Sequence, residues 1–346
     1  MRAITTKPGI ADSARLEEVP EPAAEPGTLL VDALAIGVCG TDAEILSGAY
    51  GQPPPGHERL IIGHENLGRV REAPAGSGFQ PGDLVVGVVR RPDPTPCASC
   101  AAGEWDMCKN GGYTERGISG RDGYASERYR LETAFAVHVP AELGDLAVLV
   151  EPTTVVAKAW EQIERIGARA LWKPSRVLIT GAGPIGLLAA MLGRQREFDV
   201  HVLDRVTDGP KPELVTALGA TYHTGKVSDI PAPDIVLECT GAGQLVFDVL
   251  EAAAPDAIVC LTGVSSGTRD IPINLEALNK QLVLENAVIF GAVNANLRHY
   301  HAAVEALARA DRGWLGRLVS RRVPLDRWHE ALVRGADDVK PVIIFG

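Results

Sequence analysis

Arg176-Val-Leu-Ile-Thr180, then Gly181-Ala-Gly183-Pro-Ile-Gly186, then Leu187-Leu-Ala-Ala-Met191: this stretch decides the fold. An apolar run reads as a buried strand, a glycine-rich turn follows, and a second apolar run reads as a helix. A G-x-G-x-x-G segment means little alone. Between a strand and a helix it is the fingerprint of a dinucleotide site. Gly181 allows the tight turn, Gly183 lets backbone approach a pyrophosphate, and Gly186 lets helix and strand pack closely. Ala182, Pro184 and Ile185 complete the loop, and the helix N-terminus offers free N–H groups to phosphate. The next strand, 200–203, ends at Asp204. Its carboxylate is placed to accept from both ribose hydroxyls of NAD and to repel a 2′-phosphate. Arg205 beside it could pair with that phosphate, so NADP stays open behind NAD.

The same rhythm continues outward. Residues 154–166 and 213–218 have helical spacing, and 235–237, 258–261 and 288–290 are short buried strands. Strands alternating with helices imply an α/β fold with a doubly wound parallel sheet. Upstream, short apolar runs at 29–36, 67–70 and 84–89 lie between Gly, Pro and Asp turns such as Pro81-Gly82-Asp83, so the first 150 residues read as β-rich. Residues 90–123 are polar and Gly/Pro-rich and read as a lobe. A helix at 299–309 and a last strand at 341–345 return the chain to the first domain. The expected division is a catalytic domain of 1–155 and 296–346, with the lobe at 90–123, around a dinucleotide-binding domain of 156–295.

Composition narrows the function. The 346 residues are 46% hydrophobic and 23% charged, with a net charge of −10, which disfavours nucleic acid and anionic membrane as partners. Residues 1–21 lack an apolar signal core, and the apolar run at 177–193 is broken by glycines and a proline, so a cytoplasmic protein is expected. Six cysteines are too few for a disulfide scaffold, and three of them cluster, as metal ligands do.

Three further segments carry chemistry: Gly37-Val-Cys39-Gly-Thr41-Asp42, Gly63-His64-Glu65 and Glu151-Pro152. Each is bland alone, since a lone cysteine is most often a small buried hydrophobe. Together they supply thiolate, imidazole and carboxylate, the donors that zinc accepts in an open catalytic site. Such a zinc acts as a Lewis acid on an alcohol oxygen.

These segments, with the Pro81-Gly82-Asp83 turn, the cysteine lobe, the glycine loop and Val293-Asn294-Ala295-Asn296, resemble the zinc-dependent medium-chain dehydrogenases. Within them the chain resembles the glucose 1-dehydrogenase branch, over nearly its whole length. The resemblance implies a GroES-like β-rich catalytic domain and a catalytic zinc held by Cys39, His64, Glu65 and Glu151. Thr41 would bond the substrate oxygen and start a proton relay. Glu115, Glu151 and Asn294 would position the sugar, and Asn294 would also touch the nicotinamide. Asp42 reads as a supporting or turn residue. Cys97-x2-Cys100-x7-Cys108 matches the last three ligands of a structural zinc; Pro94 stands where the first would be, and Asp93 is an alternative oxygen ligand. Cys239 and Cys260 read as core.

The implied reaction is oxidation of an aldose, D-glucose to gluconolactone, with hydride passed to NAD(P)+. A dimer or tetramer with an edge at 288–292 is implied too. One departure weakens the case for glucose itself: Thr153-Thr154-Val155-Val156 offers no acid or amide where sugar-oxidising relatives often place one. A polyol, sugar-derivative or secondary-alcohol dehydrogenase is the alternative within the class. A catalytically silent NAD-binding sensor is the alternative outside it.

Overall fold

The computed structural model describes residues 1–265, 270–333 and 335–346. They divide into two units, Met1–Glu151 with Ala295–Gly346, and Pro152–Asn294.

In the second unit, six strands form one parallel sheet in the order Thr221–His223, Asp199–Leu203, Arg176–Thr180, Ile235–Glu238, Ile258–Leu261, Val288–Gly291. Val177, Leu178, Ile179, Val200, Val202, Val236, Leu237, Ile258, Val259 and Cys260 are all buried. Such unbroken apolar runs are what a parallel sheet covered on both faces requires. The sheet grows one way from Arg176–Thr180 and then reverses. That topological switch point is where α/β sheets bind ligands, and the glycine loop sits on it.

In the first unit, Thr28–Gly37 is the central strand. It pairs antiparallel with Glu65–Glu72, Arg128–Glu132 and Pro341–Ile344. The last of these carries Ile343 opposite Ile36 and is itself flanked by Arg321–Pro324, so segments from both parts of the unit share one sheet. Ile4, Leu29, Val31, Ile36, Ile62, Val85, Leu131 and Ile343 form the core. The architecture is the α/β plus β-rich pairing read from the sequence.

The lobe differs from its polar appearance. Arg90–Arg91, Thr114–Arg116 and Gly120–Arg121 form a small sheet, and Arg90, Arg91, Glu115 and Arg116 are buried. Their charges are matched internally: Arg91, Arg116 and Arg121 all donate to Glu132. Among the described residues, no helix is long and apolar enough to cross a membrane.

Candidate active site

The first unit gathers its chemistry where the central strand ends. Gly37 closes Thr28–Gly37, and Cys39 caps the helix Gly40–Leu46. Asp42, in that helix's first turn, accepts from the Cys39 backbone N–H at 2.9 Å, which fixes the entry angle as a capping box does. Just before the neighbouring strand Glu65–Glu72, Gly63 has φ +88°. A Cβ there would meet Ala125 and Ile36 at 3.0 Å, so glycine is required to turn His64 inward.

His64 Nε2 lies 3.0 Å from Cys39 Sγ, and His64 Nδ1 lies 3.5 Å from Asp42 Oδ1. A carboxylate behind a ligating imidazole sets its tautomer and orientation. Burial lowers the His64 pKa, but Cys39 and Asp42 more than reverse this and hold it well above the ordinary value. Donor atoms of Cys39, His64 and Glu65 all lie within 4.8 Å of one another. Glu65 Oε2 is buried without a hydrogen-bond partner. Glu65 Oε1 accepts from Lys340 Nζ at 2.5 Å, and the same nitrogen donates to Val38 O at 3.1 Å. Burial favours loss of the Lys340 proton, but Glu65 and Cys39 outweigh it and raise the pKa.

Glu151 is not among the three donors within 4.8 Å of one another, but it lies close enough for the charges of His64 and Glu65 to act on it. Burial pushes its carboxyl up to about 7, His64 opposes that, and Glu65 adds to it. Thr41 is the half-buried second residue of the capped helix. A thiol, an imidazole and crowded carboxylates, with one oxygen unspent, fit a divalent zinc.

In the lobe, donor atoms of Cys97, Cys100 and Cys108 lie within 4.8 Å of one another. Lys109 N–H donates to Cys97 Sγ at 3.4 Å. The backbone N–H groups of Cys100 and Lys109 bring the Cys97 pKa down to about 6, which suits a thiolate ligand. Asp93 is not in that group: its Oδ1 accepts from Thr95 N–H at 2.8 Å, and a Cβ at Gly112 would lie 2.7 Å from its Oδ2. Glu115 Oε1 accepts from Arg90 Nη2 at 2.9 Å and Nε at 3.1 Å, and the guanidinium lies 3.6 Å from the centre of the Tyr113 ring. All six cysteines are free.

In the second unit, Gly181 has φ +87°, and a Cβ at Gly186 would lie 1.8 Å from Gly181 O. At Gly183 an added Cβ would meet nothing within 4 Å, which leaves room for a ligand. Pro184 opens the helix Pro184–Gln195, as its fixed φ favours. Asp204 Oδ2 accepts from Ala182 N–H at 2.6 Å and Oδ1 from Val206 N–H at 3.1 Å. Lys211 Nζ stands 3.6 Å from Asp204 Oδ2. Burial raises the Asp204 pKa, but the amides of Ala182 and Val206 and then Lys211 bring it below the ordinary value. Arg205 is exposed. Asn294 has φ +50°, and both polar atoms of its amide are buried without a partner. Sequence reasoning missed Lys340 and Lys211: each meets its acid only through the fold.

Residues 144–345 match the family model described as glucose dehydrogenase C-terminus, and residues 25–141 match the alcohol dehydrogenase GroES-like domain. The chain belongs to the zinc-dependent glucose dehydrogenase family. Among similar members, a glucose 1-dehydrogenase of Thermoproteus tenax is 41% identical over 99% of both chains. One from Methanocella arvoryzae is 38% identical over 100% of both. A solved Haloferax mediterranei glucose dehydrogenase, in complex with NADP, Zn and gluconolactone, superposes with a TM-score of 0.93 at 31% identity, covering 100% of this chain and 99% of that one.

Proposed function

We propose that this chain is an NAD(P)-dependent zinc enzyme that oxidises D-glucose to gluconolactone. The observation that carries this is the set Cys39, His64 and Glu65, with one unspent buried oxygen, in a chain of this family. Cys39, His64, Glu65 and Glu151 would hold the catalytic zinc. When bound, that zinc supplies Lewis acidity to the C1 hydroxyl of the sugar. Asp42 keeps the His64 ring oriented, and Lys340 keeps the Glu65 carboxylate aimed. Thr41 Oγ1 takes the hydroxyl proton outward. Glu115, stiffened by Arg90, and Asn294 orient the sugar. The Gly181–Gly186 loop and the helix after it hold the dinucleotide phosphates, and Asp204, Arg205 and Lys211 meet its adenosine ribose. Cys97, Cys100 and Cys108 would hold a second, structural zinc.

We also infer a homo-oligomer. Val288–Gly291 is the outer strand of its sheet; the helix Leu275–Leu284 buries no residue, and it exposes Leu275, Val283 and Leu284. Apolar surface of this kind marks an interface. Six free cysteines fit a reducing cytoplasm.

The test is a matrix of cofactors against aldoses and polyols, with and without chelator, alongside metal analysis. Glucose turnover that needs metal, and loss of zinc in C39A/H64A, support the reading. Turnover of a polyol but no aldose, or dinucleotide binding with no zinc in either protein, refutes it.

A further inference from the structure

Lys158 lies on the helix Val150–Gly167 and is only 2% exposed. Desolvating a lysine is costly and needs a return. Its Nζ donates at 3.0 Å to Val293 O, the carbonyl immediately before Asn294. Asn294 holds φ +50°, a left-handed backbone that asparagine tolerates better than most residues but that still needs outside support. Its amide Nδ2 and Oδ1 are both buried without partners. Unspent buried polar atoms on a strained turn mark a place where a ligand completes the bonding.

We propose that Lys158 is a positioning residue for the reaction: by gripping Val293 O it sets the Asn294 turn and aims the amide at its ligand, the nicotinamide amide and sugar hydroxyls. This rests on the role given to Asn294 under the proposed function. Neither residue reveals the link in sequence, because the contact joins a helix to a turn 135 positions later.

A double-mutant cycle tests it, using zinc-loaded enzyme with NADP and glucose. Kinetics are read for N294A, K158M, the double variant and K158R, and NADPH affinity is read from its fluorescence. N294A is expected to lower kcat/KM about tenfold or more, and K158M by a similar factor, mainly through kcat. In the N294A background K158M should then cost less than about twofold, because residues acting through one another are not additive. K158R, which keeps the donor, should recover most of the loss. Independent losses that multiply, or a folded K158M with unchanged kcat/KM beside a damaged N294A, overturn the inference alone. An undamaged N294A overturns the reading of Asn294 and the inference with it. If K158M does not fold, K158Q enters the same cycle with the same criteria.

Discussion

Substituting Gly37 with alanine puts a methyl group where Glu65 already is. The new Cβ would lie 2.1 Å from Glu65 Oε2, 3.1 Å from its Cβ and 3.2 Å from its Cδ. Real Cβ atoms essentially never come within 3.0 Å of a non-bonded heavy atom, so the carboxylate must retreat by close to an ångström. It has nowhere easy to go: Oε1 is held by Lys340 at 2.5 Å, and the strand carrying Glu65 is paired to the strand carrying Gly37. Overpacking of this kind costs about 1–3 kcal/mol of stability. Misorienting a ligand costs about 10–100-fold in metal affinity, and a misplacement of about 1 Å near the chemistry costs about 100-fold in rate. G37A should therefore remain largely folded while zinc retention and kcat/KM both fall by those factors. Chelator competition measures the first and steady-state kinetics the second. G40A is the control: it sits beside Cys39, but its Cβ meets nothing within 4 Å, so it should change neither. A G37A protein that keeps zinc as tightly as wild type, at full rate, would refute the assignment of Glu65 to the metal.

Three other outcomes follow from the same contacts. K340M leaves the Glu65 carboxylate buried without its cation, a loss of about 3–5 kcal/mol; thermal unfolding with chelator should show it, zinc should restore part of it, and wild-type stability in both conditions counts against the pairing. K211A should weaken NADP binding about tenfold, one ion pair's worth, with a smaller effect on NAD, while D204A should move the NADP/NAD ratio the other way; nucleotide titrations decide. Burial raises the Glu132 pKa, but Arg91 and then Arg116 hold it far below the ordinary carboxylate range. A depressed folded-state pKa gives stability that is present above the unfolded value and lost as pH falls through the folded one. E132Q should thus cost about 3 kcal/mol near pH 7, with the gap to wild type closing in acid; a pH-independent gap would contradict the sign.

What the sequence disclosed and what it hid divide by range. The dinucleotide unit was legible because strand, glycine loop, helix and acid follow one another, so local periodicity records the tertiary contacts. Cys97, Cys100 and Cys108 were legible for the same reason, being close in sequence. Lys340 and Lys211 were not, because a lysine gives no local sign of whether it will meet solvent or a buried acid. The lobe of residues 90–123 read as polar, and nothing in the sequence signals that Arg90 and Glu115 within it would be buried against each other. Polar residues that satisfy one another can go inside together, and composition cannot distinguish that from solvation. Likewise Asp93 stands next to the cluster in sequence, while the bond of its Oδ1 to Thr95 N–H is set by its own turn.

The closing strand Pro341–Ile344 has a consequence for how the molecule is made. Cys39, His64, Glu65 and Glu151 leave the ribosome long before Lys340, whose bond to Glu65 spans 275 positions. Until then the central strand has an open edge where Pro341–Ile344 will pair, and open edges invite wrong partners. The contiguous unit Pro152–Asn294 can fold as it emerges, as domains do during synthesis. The unit that holds Cys39 and His64 must wait for Lys340 and Pro341–Ile344, so its nascent form is the vulnerable one. The cation that balances Glu65 therefore arrives late in synthesis, long after the carboxylate it pairs with.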